Sequence, residues 1–413
     1  MPREKRPGEW DCPECQTSNF PSRTECFKCS AERPEGAGVV EGEKPREHYI
    51  PPEPTQDEEV MFASAIHAGI NFDNFEKIEV KLSGNGCDKI QKITSFQNSK
   101  LREFLLTNIQ RSGYTKPTPI QKLSIPIIQA KRDLMGCAQT GSGKTAAFIL
   151  PILDRIMEDS TTLQLGRPQC LVVAPTRELV MQIFEEARKF AHTSYLKICL
   201  AYGGTATRHQ CEAVTRGCHV LVATPGRLMD FVDKGMVTFE DLKFLVLDEA
   251  DRMLDMGFRT SIEKICKHVT MNQDPKPQTL MFSATFPDEI QRLAGEFLHD
   301  YMFLTIGIVG GASLDVEQSF LEVSKFKKRL VLIELLQSYA VDTKSGGILV
   351  FVETKRTADF LASILSETDI STTSIHGDRL QRERELALRE FRDATRKVLV
   401  ATSVAARGKS IFN

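Results

Sequence analysis

The sequence lacks a strong net charge and lacks any long apolar run. Its 413 residues include 53 Lys and Arg and 55 Asp and Glu, for a formal net charge of −2. No global positive field exists, so any nucleic-acid binding must come from local basic patches. No segment is apolar over the length that spans a bilayer, and MPREKRPGEW has no secretory core. We therefore expect neither a membrane span nor a secretory signal.

The cysteines are too scattered for a disulfide framework. Seven of the 11 stand singly: Cys87, Cys137, Cys170, Cys199, Cys211, Cys218 and Cys266. The other four, Cys12, Cys15, Cys26 and Cys29, follow the spacing C-x2-C-x10-C-x2-C, which suits a structural Zn²⁺. Paired disulfides or chance are the alternatives. A segment this short has no real core, so metal binding should supply its folding energy.

Composition and motif order together predict four regions along the chain. Residues 1–32 form a zinc finger, and residues 33–71 form a linker and N-terminal extension. The linker is rich in Pro, Glu and Gly, which cannot build a core, although residues 49–52 could lie extended along the next domain. A first lobe covers residues 72–308, and a second lobe covers residues 317–413.

Apolar runs that end in polar tips recur from about residue 96 onward, as in CLVVAPTREL, HVLVATPGRL and FLVLDEAD. Continuous apolar runs predict strands buried on both faces, and their alternation with helices predicts a parallel α/β sheet. Ligands of such sheets sit at the carboxyl ends of the strands, where the polar tips fall. A second series follows IGIVGGAS, so we expect two α/β lobes, the second with few strands before the chain stops.

The segment AQTGSGKT, residues 138–145, has the pattern of a phosphate-binding loop between a strand and a helix. Lys144 should reach the β- and γ-phosphates, and Thr145 should hold Mg²⁺. Ala138 stands where the commonest form of this loop has glycine. The alternative is an ordinary Gly/Ser-rich turn.

LVLDEAD, residues 245–251, supplies the second half of this site. Asp248 would bind Mg²⁺ through water, and Glu249 could take a proton from the attacking water. A solvated helix start is the alternative. The predicted catalytic residues are therefore Lys144, Asp248 and Glu249.

These motifs, in this order, resemble the DEAD-box RNA helicases, and the resemblance covers about residues 72–408. It implies two RecA-like lobes that bind ATP and RNA. GYTKPTPIQ resembles the adenine-reading Q motif, within residues 94–122, in which Gln121 bonds adenine and Phe96 stacks on it. The implied nucleotide contacts are Phe96, Gln121, Ala138, Gln139, Thr140, Gly141, Ser142, Gly143, Lys144, Thr145 and Asp248. Ser283, Ala284 and Thr285 resemble the segment that couples nucleotide state to lobe closure.

The resemblance also implies an RNA path at the strand tips of both lobes. Its residues are Pro175, Thr176, Arg177, Gly203, Gly204, Thr224, Arg227, Thr354, Lys355, Gln381, Arg384 and Thr402. Single cations suit phosphate contact, and small residues would let RNA approach the backbone closely. Each cation alone is more often a solvated surface residue. We expect sequence-tolerant binding of a single strand or short duplex that weakens with salt, and local strand separation.

Several segments, including LKICLAYGGTATRHQ and LDEADRMLDMGF, are similar to the vasa-like germline branch of the family. Belle-type relatives share many of them. The vasa-like resemblance implies a cytoplasmic protein, associated with perinuclear germ granules, and we expect a monomer.

The first 32 residues resemble the Ran-binding-protein type of zinc finger through Trp10, Asn19 and Phe20. Arg23 matches one of two RNA-contacting arginines of that type, whereas Ser22 replaces the other and Phe27 replaces an asparagine. We expect an RNA partner first and a protein partner second. Trp10 is either a core residue or a contact residue.

The last residues depart from the family pattern. After TSVAARG the chain continues with Lys409-Ser410, so the expected ribose-binding Asp is replaced, and the arginine motif that would follow is absent. We therefore interpret the chain as truncated, whether as a splice form, a fragment or a gene-model error. We expect it to bind ATP and RNA with little turnover. The alternative function is an impaired, non-catalytic binder of ATP, RNA or protein.

Overall fold

A computed structural model describes most of the chain. The described residues are 10–19, 25–26, 28–32, 34, 49–63, 78–158, 163–271, 274–308, 310, 316–340, 347–368 and 370–402. They belong to two compact units, Met1–Tyr49 and Ile50–Asn413. None of the described helices is long and apolar enough to cross a membrane. All 11 cysteines are free thiols, which agrees with the predicted absence of a disulfide framework.

The first unit is a small finger around four cysteines. Strands β1 (Trp10–Asp11) and β2 (Ser18–Asn19) pair antiparallel. Trp10 is 2% exposed and packs with Cys12 and Cys26. Trp10 is therefore a core residue of the finger, which settles the alternative that the sequence left open. Phe20, Ser22, Arg23 and Phe27 lie outside the described residues.

The second unit begins with a segment that the composition gave as linker. Helix α1 (Glu58–Ala63) buries Met61 and Phe62. The Arg111 guanidinium lies 4.2 Å from the centroid of the Phe62 ring, and Arg111 and His192 each contact the Glu58 carboxylate at 2.6 Å. Part of the Pro- and Glu-rich stretch is therefore packed against the first lobe rather than left as a free linker.

The first lobe is built on an eight-stranded sheet in the order β3-β10-β4-β9-β8-β5-β7-β6. Only the edge strand β3 is antiparallel to its neighbour; the other pairs are parallel. The strands are β3 (Val80–Ser83), β4 (Leu134–Cys137), β5 (Cys170–Val173), β6 (Ile198–Ala201), β7 (Val220–Ala223), β8 (Phe244–Leu247), β9 (Gln278–Ser283) and β10 (Met302–Ile306).

Helices cover both faces of this sheet. They are α2 (Glu103–Arg111), α3 (Pro119–Gln129), α4 (Lys144–Glu158), α5 (Arg177–Phe190), α6 (Thr207–Thr215), α7 (Pro225–Asp233), α8 (Ala250–Asp255), α9 (Arg259–Cys266) and α10 (Asp288–Phe297). Successive residues of β5, Leu171 and Val172, belong to hydrophobic clusters on opposite faces. Burial on both faces explains why these strands read as continuous apolar runs, and it confirms the predicted parallel α/β fold.

The second lobe carries a parallel three-stranded sheet in the order β11-β13-β12. Its elements are α11 (Lys328–Ala340), β11 (Ile348–Val352), α12 (Lys355–Glu367), β12 (Thr372–Ile375), α13 (Gln381–Arg392) and β13 (Val398–Thr402). β11 and β12 are the edges of the described sheet, and Phe351 on β11 is 54% exposed. In both lobes, helices begin directly after strands, so the motif residues lie at the carboxyl edge of each sheet.

Candidate nucleotide and nucleic-acid site

The loop between β4 and α4 has a backbone that requires glycine at two positions. Gly141 has a φ of 81° and Gly143 a φ of 85°, both in the left-handed region that glycine adopts without strain. The buried hydroxyl of Ser142 has no hydrogen-bond partner among the described residues. Helix α4 begins at Lys144, so its amino end and its unpaired N–H groups meet this loop. The loop therefore offers donors to an anion.

Lys144 folds back onto this loop. Its Nζ donates to the carbonyl oxygens of Ala138 at 2.8 Å and Gln139 at 3.0 Å, and the residue is 8% exposed. Burial lowers the pKa of the Lys144 ammonium, whereas the charges of Asp248 and Glu249 oppose that shift. The cation is thus held beside two acids and among carbonyls that an incoming phosphate can replace.

Gln121 connects the start of α3 to the same loop. Its Oε1 accepts from the Thr118 N–H at 2.9 Å, and its Nε2 donates to the Gly143 carbonyl at 3.1 Å. A Cβ built on Gly143 would lie 2.5 Å from Nε2, so only glycine allows this approach. Both ends of the Gln121 amide are therefore engaged within the lobe.

Phe96 is largely covered in this structure. It is 3% exposed, and its ring packs edge to face with Tyr114 at 6.3 Å. Stacking on adenine would require the face of the Phe96 ring to become accessible, so this contact remains a prediction.

Two acids follow β8 and face Lys144. Asp248 is 2% exposed, and burial raises the pKa of its carboxyl to about 7 against the opposing pull of Lys144. Glu249 has a left-handed backbone, with a φ of 53°, and its carboxylate contacts the Arg252 guanidinium at 2.9 Å. Burial raises the pKa of Glu249 as well. The two neighbouring carboxylates thus differ in their partners: Asp248 interacts electrostatically with Lys144, whereas Glu249 forms an ion pair with Arg252.

Asp251, two residues further on, joins this segment to the end of β9. Its Oδ2 accepts from the Thr285 hydroxyl at 2.8 Å and the Thr285 N–H at 3.1 Å. The Ala138 N–H donates to the Ser283 carbonyl at 3.1 Å, and Ser283 is fully buried. Ala284 lies between these two anchored residues. The predicted coupling segment therefore contacts both halves of the nucleotide site.

Glu186 on α5 is a further acid near the loop. The Tyr114 hydroxyl donates to its Oε1 at 2.5 Å. Burial raises the pKa of Glu186, while hydrogen bonds from Tyr114 and Thr145 lower it. Glu186 therefore links the Q-motif region to Thr145.

Arg177 fills the space over two glycines at the lobe-one edge. A Cβ built on Gly204 would lie 2.2 Å from Nη1 of Arg177, and one on Gly203 would lie 3.4 Å from its Nη2. The Thr176 hydroxyl caps α5 by accepting from the Leu179 N–H at 3.3 Å. We expected small residues here to admit RNA; in this structure they admit the guanidinium.

The neighbouring cation of lobe one, Arg227, is also partnered. Its Nη1 donates to Gln210 Oε1 at 3.2 Å, and its Nη2 donates to the Thr205 carbonyl at 3.3 Å. Thr224 precedes α7 and is buried, and Pro175 lies between β5 and α5. These residues lie at the same sheet edge as Arg177, as the sequence predicted.

The predicted residues of lobe two differ in exposure. Lys355 pairs with Asp378 at 2.5 Å on the surface. The Thr354 hydroxyl caps α12 by accepting from the Thr357 N–H at 3.1 Å. Thr402 ends β13 with a buried hydroxyl that has no partner among the described residues.

The two lobes touch through residues predicted to hold RNA. Arg177 Nη1 donates to Gln381 Oε1 at 2.9 Å, and Arg384 forms an ion pair with the buried Glu178 carboxylate. The Tyr202 hydroxyl donates to Glu385 at 3.1 Å. Burial and the nearby Arg384 lower the pKa of Arg177. Lobe contact and the predicted RNA path therefore share side chains.

In the finger, the four predicted zinc ligands converge. The sulfur atoms of Cys12, Cys15, Cys26 and Cys29 all lie within 4.8 Å of one another. Cys12 and Cys29 are 3.4 Å apart, and Cys15 and Cys26 are 3.5 Å apart. Zn–S bonds of about 2.3 Å would place tetrahedral sulfurs about 3.8 Å apart, so this cluster fits Zn²⁺.

Comparison with known proteins also indicates a helicase. The DEAD/DEAH box helicase profile matches residues 118–293, and the helicase conserved C-terminal domain matches residues 327–413. The solved structure of the RNA helicase Prp28 from Chaetomium thermophilum, bound to ADP, is 34% identical. That alignment covers 88% of this chain and 83% of Prp28, with a TM-score of 0.51. The chain belongs to the DEAD/DEAH box helicase family. The yeast DEAD-box splicing factor Prp28 is 31% identical over 82% of this chain and 76% of that chain, with a TM-score of 0.54.

Two curated relatives of this helicase-family chain are named as ATP-dependent RNA helicases. The ATP-dependent RNA helicase vasa of Drosophila melanogaster is 60% identical over 375 residues, which cover 91% of this chain and 55% of vasa. The probable ATP-dependent RNA helicase DDX4 of Homo sapiens is 52% identical, with 92% and 52% covered. The chain thus spans about half the length of these relatives. Residues 6–35 match the zinc finger found in Ran-binding protein and others.

The sequence predicted many residues that lie at the carboxyl edges of the two sheets, but it did not reveal several of their hydrogen-bond and ion-pair partners. Asp251, Glu178, Tyr202, Glu186 and Glu385 were not among the predicted site residues. Asp251 lies within the motif already quoted, so its spelling could have flagged it. Two of the other four, Glu178 and Tyr202, also lie within motif segments quoted above. The partners of all four lie far away in the sequence, so no local pattern predicts these contacts.

Proposed function

We propose that this chain is the core of an ATP-dependent RNA helicase. In this proposal it binds ATP at the lobe-one edge and RNA across both lobes, and it couples hydrolysis to separation of short duplexes. The observation that carries the proposal is the buried group of Lys144, Asp248 and Glu249, with Asp251 bonded to Thr285. A structural ion cluster would not need a glycine loop or a link to a second strand end. The names of the vasa and DDX4 relatives describe the same activity.

In the proposed nucleotide complex, Lys144 exchanges its two carbonyl partners for the β- and γ-phosphates. The unpaired Ser142 hydroxyl and the amino end of α4 supply further donors. Gln121 holds the loop through Gly143 and would read the adenine edge by changing partners. The other residues of the loop, from Ala138 through Thr145, would line the bound phosphates.

Oxygen donors suited to Mg²⁺ are present at the proposed phosphate end. Asp248 offers a buried carboxylate and Thr145 a hydroxyl, which are the hard ligands that Mg²⁺ accepts. Bound there, Mg²⁺ would neutralise phosphate charge. Glu249 is the proposed base toward water, and Arg252 fixes its carboxylate in position.

The proposed RNA path uses the cations at the carboxyl edges of both lobes. Arg177, Arg227, Lys355 and Arg384 would contact phosphates, with Gly203, Gly204 and Thr224 beside them. Because Arg177 and Arg384 are also lobe-contact residues, strand binding and lobe approach would be linked. Such contacts read no bases, so the path should tolerate any sequence.

We infer that Zn²⁺ folds the finger, whose role is to hold an RNA or protein partner. The four converging thiols support the metal, and Trp10 is buried, so this residue is not a stacking platform. By likeness to vasa, we further propose a monomeric, cytoplasmic germline protein associated with perinuclear granules.

Nucleotide-dependent RNA binding tests the coupling most simply. Fluorescence anisotropy of a labelled ten-nucleotide oligouridine should show at least about tenfold tighter binding with a non-hydrolysable ATP analogue, within the usual range of coupling energies. Thr285→Ala removes the hydroxyl that bonds Asp251, so it should keep ATP-analogue binding but lose this enhancement.

Thr107→Ala is the matched control, because the Thr107 hydroxyl bonds only the Glu103 carbonyl within α2. It should behave like the parent chain. RNA affinity that ignores the nucleotide in the parent chain would overturn the proposal.

A further inference from the structure

Lobe one contains a cavity that lies away from the nucleotide loop. It has a volume of about 640 Å³ and lies against the carboxyl ends of α3 and α4. Both helices begin near the loop, at Pro119 and Lys144, so these ends lie toward the opposite edge of the sheet. The other walls are the short 3-10 turns Cys87–Lys89 and Phe96–Asn98 with the residues that follow them. The Gln129 side-chain amide donates to the Ser99 carbonyl at 2.9 Å and joins the walls.

The cavity is lined by cations. Lys89, Lys92, Lys100 and Lys131 line it, and none of the four has an ion-pair partner among the described residues. A fifth cation, Arg155, is fixed by Gln278 Oε1 at 2.9 Å.

Among the described residues, two acids line the same volume. The Asp154 carboxylate already accepts from the Arg102 N–H at 3.0 Å and contacts the Arg102 guanidinium at 3.5 Å. Glu158 is therefore the acid that remains to balance the lysine charges. The chain as a whole carries a net charge of −2, so this excess of positive charge is local. Like charges around one volume repel unless an anion screens them.

Two of the lysines occupy positions that favour other residue types. Lys100 and Lys131 both have a φ of 61°, in the left-handed region. Lys131 follows the end of α3, where glycine or asparagine would adopt this conformation at lower cost. The backbone therefore does not account for lysine at either position, and the side-chain charge offers a reason for it.

We propose that this cavity binds a compact, multiply phosphorylated anion of small-molecule size. The volume falls within the range of small-ligand sites, and lysine ammonium groups bind phosphate as point charges. An RNA strand fits less well, because single-strand sites usually stack bases on aromatic rings and none of the described lining residues is aromatic. The site is separate from the proposed ATP and RNA sites and does not depend on them.

Inositol hexakisphosphate is a suitable probe. Isothermal titration onto the 413-residue chain, in Mg²⁺-containing buffer at low salt, should show binding of one equivalent that weakens as salt rises. Lys100→Gln with Lys131→Gln removes two charges and should weaken the probe at least about tenfold. Lys264→Gln with Lys276→Gln, two exposed lobe-one lysines outside the cavity, should leave the affinity unchanged.

Competition separates this cavity from the other phosphate sites. Saturating ATP and a ten-nucleotide oligouridine should each leave probe binding intact. The proposal is overturned by absent probe binding, equal loss in both double variants, or displacement by ATP or by RNA. Should the first double variant lose its cooperative melting transition, Lys89→Gln with Lys92→Gln on the exposed turn must give the same tenfold loss, or the proposal fails.

Discussion

The nucleotide site of lobe one and Lys355 of lobe two differ in how far their charges are exposed to solvent. Lobe one buries Lys144, Asp248 and Glu249 together, so their charges act on one another with little water between them. Lobe two keeps Lys355 on the surface, paired with Asp378. Fixed, desolvated charges suit bond-breaking chemistry, whereas solvated charges suit a flexible polyanion of any sequence. The comparison predicts that substitutions at the two edges differ greatly in effect.

The largest contrast should come from the same substitution at both edges. Lys144→Gln should weaken ATP-analogue binding by about 100-fold or more, because each of its two proposed hydrogen bonds to phosphate is worth about 1.5–3 kcal/mol. Lys355→Gln should leave ATP binding unchanged and weaken RNA binding only a few-fold, as for a single phosphate contact. Titration of both variants with a fluorescent ATP analogue and with labelled RNA provides the check. Equal losses of ATP affinity would remove the distinction between the two edges.

The lobe contact should be the next most sensitive point. Arg384→Gln leaves the buried Glu178 carboxylate without its ion pair in the approached arrangement, a loss worth about 3–5 kcal/mol for a buried pair. The population of that arrangement should fall by at least about 100-fold, because each 1.4 kcal/mol is tenfold. Energy transfer between dyes on α6 and α12 would report it.

The double variant Glu178→Gln with Arg384→Gln removes the stranded charge and should recover much of that loss. If it behaves like Arg384→Gln alone, the Glu178–Arg384 pair does not hold the lobes together.

A smaller effect is expected at Gly204. Gly204→Ala places a Cβ against Arg177 and forces a left-handed backbone with a φ of 88°, which costs about 1–2 kcal/mol. That strain lowers folding stability, whereas RNA affinity should fall a few-fold through the displaced guanidinium, as for one lost phosphate contact, and ATP-analogue binding should stay unchanged. Gly295→Ala on α10 is the control, since nothing lies within 4 Å of its added Cβ. Unchanged RNA affinity in Gly204→Ala would show that Arg177 can relocate freely.

The smallest effect should appear where α1 meets lobe one. The Arg111 guanidinium and His192 lower the pKa of the Glu58 carboxyl, so its ionised form is the one that docks. Docking should therefore be present above the ordinary pKa of glutamate and weaken as pH falls through the lowered pKa. Hydrogen exchange of residues 58–63 should rise by less than about fivefold in Glu58→Gln, as for an exposed ion pair. A pH dependence that persists in Glu58→Gln would assign the effect to another group.

The parallel core of lobe one could be predicted because burial on both faces imposes a visible pattern. β5, β7 and β8 are unbroken apolar runs, and polar motifs follow each of them. β3 and α1 escaped prediction for physical reasons. β3 is a short, half-buried edge strand, and α1 derives its stability from Arg111 and His192, far away in the sequence.

The site residues show the same difference between features with a local sequence pattern and features that depend on distant contacts. Lys144 and Asp248 lie where a strand meets the following helix, at positions that phosphate binding requires, so the sequence pattern suggested them. Gln121, inside α3, was implied only by the family resemblance. The ties that hold these residues, such as Asp251 to Thr285 and Glu186 to Tyr114, depend on how distant elements pack. Gly204 shows the limit most clearly, because its smallness was visible in the sequence but its neighbour Arg177 was not.

The most direct test of the central claim is RNA-stimulated phosphate release by the zinc-loaded 413-residue chain. Glu249→Gln removes the proposed base, and Glu289→Gln, the same change at an exposed position on α10, is its control. The account predicts slow, RNA-dependent release in the parent chain and in Glu289→Gln, and none above background in Glu249→Gln. Release in Glu249→Gln equal to that of the parent, or ATP binding without any RNA-stimulated release, would contradict it.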